Sequence, residues 1–143
     1  TKPITLRCSG NLDARTHACF GISPFNSYFS EARIRELALW GKSKFDSMHF
    51  FIPDVPSAYT LEALGYDSEK AAWKARRQCQ YLHNKTFKAL RDAGFTGTSA
   101  SDMVLNWDAL SSNSRYLELY NEVKTLFESD SSFQVACLEA SNW

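Results

Sequence analysis

His17-Ala-Cys-Phe-Gly-Ile-Ser-Pro-Phe-Asn-Ser-Tyr-Phe-Ser30 decides how this chain is read. Its first seven residues are apolar, short and stopped by Pro24, the pattern of a buried strand running out into a loop. Beyond the loop, from Tyr28 to Lys44, Ile34, Leu37, Ala38, Gly41 and the adjoining Phe45 recur at helical spacing, which predicts an amphipathic helix. A second apolar run, Met48-His-Phe-Phe-Ile52, is closed by Pro53 and Pro56 and predicts another strand. Strand, helix and strand in this order predict a βαβ unit with parallel strands and a right-handed crossover.

Further along, Ser57–Leu64 predicts a short helix ended by Gly65. Asp67 is the expected N-cap of a long helix through Asp92, terminated by Gly94. Met103–Trp107 is a candidate third strand. Ser114–Glu128 and Ser131–Ala140 have helical periodicity, with Tyr116, Leu119, Tyr120, Val123 and Phe127 on one face. With 143 residues, no repeats and no linker, the chain is expected to form one α/β domain, 1–143. A parallel sheet needs both faces covered, and three strands with no returning strand after the last helix imply that a second chain or segment completes the fold.

Ten Phe, six Tyr and four Trp supply a core and exclude disorder or a disulfide-stapled scaffold. No apolar run approaches the roughly 18 residues of a membrane span, and the start TKPITLRCSG has no signal-peptide pattern, so a soluble, cytoplasmic protein is expected. Cys8, Cys19, Cys79 and Cys137 are widely spaced and read as reduced thiols, with no metal site. Phosphate loops of the G-x-x-x-x-G-K-[ST] and G-x-G-x-x-G types are absent, so no nucleotide cofactor is implied.

The balance of 16 basic against 16 acidic residues hides a polarity along the chain. Glu69–Arg91 holds seven basic residues and one acid, a local charge of +6, while the stretch from Asp92 onward carries −6. At about 100° per residue, Lys70, Lys74, Arg77, Lys85 and Lys88 share a stripe about 80° wide with Tyr81. Ala71, Ala72, Ala75, Cys79, Leu82, Ala89 and Leu90 form the expected core face. The simple reading of such a stripe is a solvated face, but the stripe as read carries no acid, and its length of about 27 Å suits a nucleic-acid backbone.

The loop after the first strand is where ligands bind in open α/β sheets. Strand alternation puts Cys19, Gly21 and Ser23 on one side, so Gly21 leaves room beside the Ser23 hydroxyl, and a following helix N-terminus would favour negative charge there. From the residues alone, the simpler reading is that Ser23 and Asn26 satisfy loop backbone groups. The hydrolase elbow G-x-S-x-G is not met, because the sequence reads Gly21-Ile-Ser-Pro-Phe25. His17, His49 and His83 are read as core-edge or surface residues, and Asp54 as a turn residue.

Together, these residues resemble the cyclodipeptide synthase family. The resemblance starts at Gly21–Ser30, runs through Leu39-Trp40-Gly41, Phe45, Pro53-Asp54 and Gly65-Tyr66 to the helix Ala71–Leu90, and ends at Phe133-x-x-Ala-Cys137. Asn26 resembles the subfamily marked by Asn, Tyr and His; the family's Tyr and His partners, and its amine-binding Tyr and Glu, have no counterpart by motif in these residues. The resemblance implies a Rossmann-like domain similar to class I aminoacyl-tRNA synthetases, and synthesis of a 2,5-diketopiperazine from two aminoacyl-tRNAs without ATP. In that scheme Ser23 is the nucleophile in a ping-pong reaction, Gly21 keeps the backbone open and Asn26 positions the serine loop. Cys19, Phe51 and Trp107 would enclose the first aminoacyl side chain, and Lys70, Lys74, Arg77, Lys85 and Lys88 would hold tRNA. The resemblance also implies that this part alone is not a self-sufficient catalyst. The rival readings are a non-catalytic RNA-binding module and a serine acyltransferase with another activated donor.

Overall fold

The computed structural model describes residues 17–141, so Cys8 and the amino-terminal stretch lie outside the described residues. These residues form two compact units divided after Trp107.

The first unit is built on a three-stranded parallel sheet in the order β1 (His17–Gly21), β2 (Ser47–Phe51) and β3 (Val104–Leu105). Cys19 stands in register with His49, Gly21 with Phe51, and Phe51 with Leu105. Period-two alternation sends Ala18, Met48, Phe50 and, just past the strands, Ile22 and Ile52 into the core, where Phe50 and Ile22 are fully buried. His17, Cys19 and Gly21 point to the opposite, exposed side.

Helix α1 (Glu31–Lys44) crosses from β1 to β2 and buries Ile34, Ala38 and Gly41, three positions on one face. Gly41 is a close-approach glycine: a Cβ there would stand 2.5 Å from Met48 Sδ and 3.1 Å from the Phe20 ring. The helix begins three residues later than the spacing predicts. Asn26 Oδ1 accepts the Tyr28 N–H at 2.9 Å and the Asn26 carbonyl accepts from Phe29, which holds 26–29 in turns until Ser30 caps the helix through Arg33 N–H.

Helix α2 (Asp54–Ala63) starts three residues earlier than expected. Pro53 and Pro56 close the strand as expected, but they also open this helix, sitting at its N-cap and in its first turn, where a missing N–H costs nothing. Helix α3 (Ser68–Asp92) is capped as expected, Asp67 Oδ1 accepting the Lys70 N–H at 2.9 Å, and its chain turns away at Gly94, φ +86°. Its buried row is Ala71, Ala75, Cys79, Leu82, Thr86, Ala89 and Leu90. Two corrections follow. Ala72, at the edge of the apolar arc, is exposed where α3 borders a cleft against α2, and Thr86 takes a core position with its hydroxyl unpaired among the described residues.

A short helix α4 (Thr98–Asp102) leads into β3, which is only two residues long because Trp107 already opens helix α5 (Trp107–Ser111). The second unit holds α6 (Ser114–Ser129) and α7 (Ser131–Ser141). Asn113 Oδ1 caps α6 through Tyr116 N–H, and Asp130 Oδ1 accepts from Ser132 and Phe133 to start α7. The apolar row of α6 is present as expected, yet none of its residues is buried; Tyr116 and Tyr120 stack with ring centres 6.2 Å apart.

Candidate active site

Ser23 stands two residues past the end of β1, and its position is set by the sheet: the Ile22 N–H donates to the Phe51 carbonyl at 2.9 Å, pairing the chain to β2 up to the residue before the serine. The Ser23 carbonyl then accepts the Asn26 N–H, closing a turn that exposes the hydroxyl. Ser23, Pro24, Phe25, Asn26 and Ser27 form one wall of a cleft of about 510 Å³, and Pro53, Pro56, Ser57 and Thr60 of α2 form the other. None of these lining side chains titrates near neutrality. Ser57 Oγ is itself committed, donating to the Pro53 carbonyl.

A Cβ on Gly21, two residues before the serine, would meet no atom within 4 Å, so the space over that glycine is open. Gly21 has no positive φ that would require glycine for backbone reasons. The helix N-terminus expected near Ser23 is farther along the chain, at Glu31, where Ser30 already caps it.

Cys19 and Phe51 share the exposed sheet side with Gly21. On the third strand, Leu105 stands in register with Phe51, a residue that no motif in the sequence singles out. Trp107 starts α5, and its N–H donates to Asp54 Oδ1 at 2.9 Å. Asp54 is thus more than a turn residue. It ties β3's exit to α2 and faces Cys79 and His83 in a second cleft, of about 580 Å³, between α2 and α3. Burial, and then the Asp54 charge, push the Cys79 thiol up to about 11, with the neighbouring Ser57 hydroxyl acting in the opposite direction. Burial lowers the His83 imidazole, with Asp54 acting in the other direction. Burial thus favours the neutral form of both groups.

Below Cys19 on the same sheet side, His17 Nδ1 lies 2.8 Å from Ser47 Oγ, and its Nε2 lies 3.3 Å from His49 Nδ1. Burial and the neighbouring His17 lower the His49 pKa. Parallel register brings these residues together across 32 positions of sequence. Among the described residues, no group of three or more His, Cys, Asp or Glu is placed to hold a metal ion.

The basic stripe divides into two halves. Lys74 Nζ lies 4.5 Å from the centre of the Tyr66 ring and donates to its hydroxyl at 3.3 Å. Lys70 faces the same ring, and Arg77 lies against Trp73 and Tyr81. In the other half, Lys85 donates to the Phe29 carbonyl and Lys88 pairs with Glu31 at the start of α1 and with Asp92. One of these acids comes from α1, and the other, Asp92, is the last residue of α3 itself, one turn beyond Lys88, so the stripe is not free of acids at this end.

A parallel sheet whose first strand ends in an exposed serine loop, backed by a long basic helix, defines a Rossmann-like α/β protein, a class in which ligands bind outside the carboxyl ends of the strands. The cyclodipeptide synthase family matches residues 1–143, and the chain belongs to that family. It is 28% identical over 142 residues to cyclo(L-leucyl-L-leucyl) synthase of Staphylococcus haemolyticus, covering 96% of this chain and 58% of that protein. It is 32% identical over 136 residues to cyclo(L-tyrosyl-L-tyrosyl) synthase of Mycobacterium tuberculosis, covering 95% of this chain and 46% of that protein. The chain thus spans about half the length of these curated relatives. A Mycobacterium tuberculosis structure that relates cyclodipeptide synthetases to type I tRNA synthetases superposes with a TM-score of 0.84 at 30% identity, over 96% of this chain and 61% of that one. No helix among the described residues is long and apolar enough to cross a membrane.

Proposed function

We propose that this chain carries the nucleophile and tRNA-binding helix of a cyclodipeptide synthase, which joins two aminoacyl groups delivered by tRNA into a 2,5-diketopiperazine. The observation that carries this reading is the exposed Ser23, just past the carboxyl end of β1 and two residues after Gly21, over which the space is unfilled. Ser23 Oγ attacks the carbonyl of the first aminoacyl ester. Its proton passes to the departing ribose oxygen, so one ester bond breaks as another forms. The amine of the enzyme-bound aminoacyl group then attacks the second aminoacyl-tRNA and releases its tRNA. The resulting dipeptidyl ester cyclises when its free amine attacks the carbonyl attached to Ser23, which leaves as the hydroxyl. The ester bonds already hold the energy of activation, so ATP has no part.

Asn26 keeps the serine loop in its turn through the bond to Tyr28 N–H. Cys19 and Phe51, with Trp107 at the exit of the third strand, surround the first side chain, and Leu105 joins them by its register with Phe51. Lys70, Lys74, Arg77, Lys85 and Lys88 hold the tRNA backbone, Lys85 and Lys88 doing so beside the start of α1.

Incubation with radiolabelled aminoacyl-tRNA tests the reading. Covalent label that disappears in Ser23→Ala supports the synthase. Reversible binding alone points to an RNA-binding module, and no interaction points to an acyltransferase with another donor.

A further inference from the structure

We infer that the amino-terminal half of α3 takes unpaired nucleotides by stacking, with Trp73, Arg77 and Tyr81 as the stacking groups and Lys70 and Lys74 as phosphate contacts. The inference rests on the tRNA reading and adds which part of an RNA this surface recognises.

Trp73 and Tyr81 are 56% and 53% exposed, large rings held in water on a helix that buries a different face. They are not placed at random. Residues 73, 77 and 81 succeed one another at i, i+4 and i+8, and the Arg77 guanidinium lies 5.3 Å from the Trp73 ring centre and 5.7 Å from that of Tyr81. Arg77 Nε and Nη2 also donate to the Tyr81 hydroxyl, at 3.3 and 3.2 Å. Three planar groups therefore form one ordered row, spread over about 12 Å of helix at 1.5 Å per residue. Beside it runs the second row, Lys70 and Lys74, both against Tyr66.

No ion pair among the described residues neutralises Lys70, Lys74 or Arg77, in contrast to Lys88, which has Glu31 and Asp92. A duplex offers phosphates but keeps its base faces stacked on one another, so rings add nothing to its binding. An unpaired strand offers both, and aromatic rings or guanidinium planes flanked by cations are what such a strand stacks on. A membrane surface would need the rings free to enter the lipid boundary, whereas here a guanidinium lies across them.

The test compares a short RNA hairpin ending in an unpaired tail with the same hairpin made blunt, reading affinity by anisotropy and tryptophan quenching. The tailed hairpin is expected to bind about tenfold more tightly, as one stacked base implies. Trp73→Ala and Tyr81→Ala should abolish that preference and leave blunt-hairpin affinity unchanged, and Trp73→Phe should restore it. The quenching should vanish with Trp73 replaced. Lys70→Glu with Lys74→Glu should weaken both hairpins. Equal affinity for the two hairpins, with quenching independent of Trp73, overturns the stacking and leaves the tRNA reading standing. Binding to neither hairpin overturns both. Ring-dependent binding to phosphatidylglycerol vesicles or to polyglutamate in place of the tailed hairpin overturns the stacking in favour of a membrane or an acidic protein.

Discussion

Gly21 ends β1 and Ser23 follows two residues later, and their neighbourhoods are opposite in kind: empty space over the glycine, a hydrogen-bonded turn after the serine. Removing the Ser23 hydroxyl disturbs no buried packing, so Ser23→Ala should change stability by less than about 0.5 kcal/mol. It should also eliminate the acyl adduct seen by intact-mass spectrometry after exposure to aminoacyl-tRNA; an adduct of unchanged yield would dismiss Ser23 as the nucleophile. Gly21→Val separates folding from function in a different way. A β-branched side chain suits a strand and meets no atom there, so the melting temperature should hold or rise. Acylation by bulky aminoacyl groups should nevertheless fall sharply, because the new side chain fills the space beside Ser23. Full acylation of the variant would mean that this space is not the substrate's.

Helix α3 is one continuous element with an apolar and a basic side, and its two ends have different neighbours. Charge reversal separates their contributions. Lys70→Glu with Lys74→Glu should leave the melting temperature nearly unchanged while weakening tRNA binding. The log–log salt slope should flatten by about 0.9 for each duplex phosphate that the helix no longer neutralises. Lys88→Glu would set a negative charge against both Glu31 and Asp92. It should therefore lower the melting temperature and speed amide hydrogen exchange over residues 23–30, since α1 begins directly after the serine loop. If exchange there is unchanged, the Lys88 ion pairs do not order the loop. On the same helix Asn84 accepts a bond from Gln80.

For the first unit, stability depends on the row of apolar side chains between the sheet and helices α1 and α3. Phe50, on the middle strand and fully buried, is its centre. Phe50→Ala should cost about 3 to 5 kcal/mol in chemical denaturation, through reduced burial and the cavity left behind. The histidine pair sets a pH dependence. An unfolded His49 titrates near 6.5 and the folded one lower, so the unfolded chain binds more protons in the window just below that value. Stability from this group is complete above pH 6.5 and is lost as pH falls towards the folded pKa; His83 acts in the same direction. Replacing His49 with Asn should flatten the acid side of the stability profile, and an unaltered profile would assign the slope to other groups.

Much of this architecture is written in local patterns. The strand stopped by Pro24, the helical spacing of Ile34, Ala38 and Gly41, the Asp67 cap and the separation of α3 into an apolar and a basic side all follow from periods of two and 3.6 and from capping chemistry. Those rules need only neighbours in sequence, so the parallel unit and the serine just past the carboxyl end of its first strand are legible in the chain itself. Boundaries shift where local hydrogen bonds compete with periodicity, as Asn26 does ahead of α1. Which distant groups meet is not legible in that way. Lys88 finds Glu31 across 57 positions, His17 finds His49 across 32, and Asp54 meets Trp107 across 53, because strand register and helix docking determine these distances. A residue's pairing partner, and hence whether a lysine is free for RNA or committed to the fold, depends on packing between elements rather than on the residue's own stretch of chain.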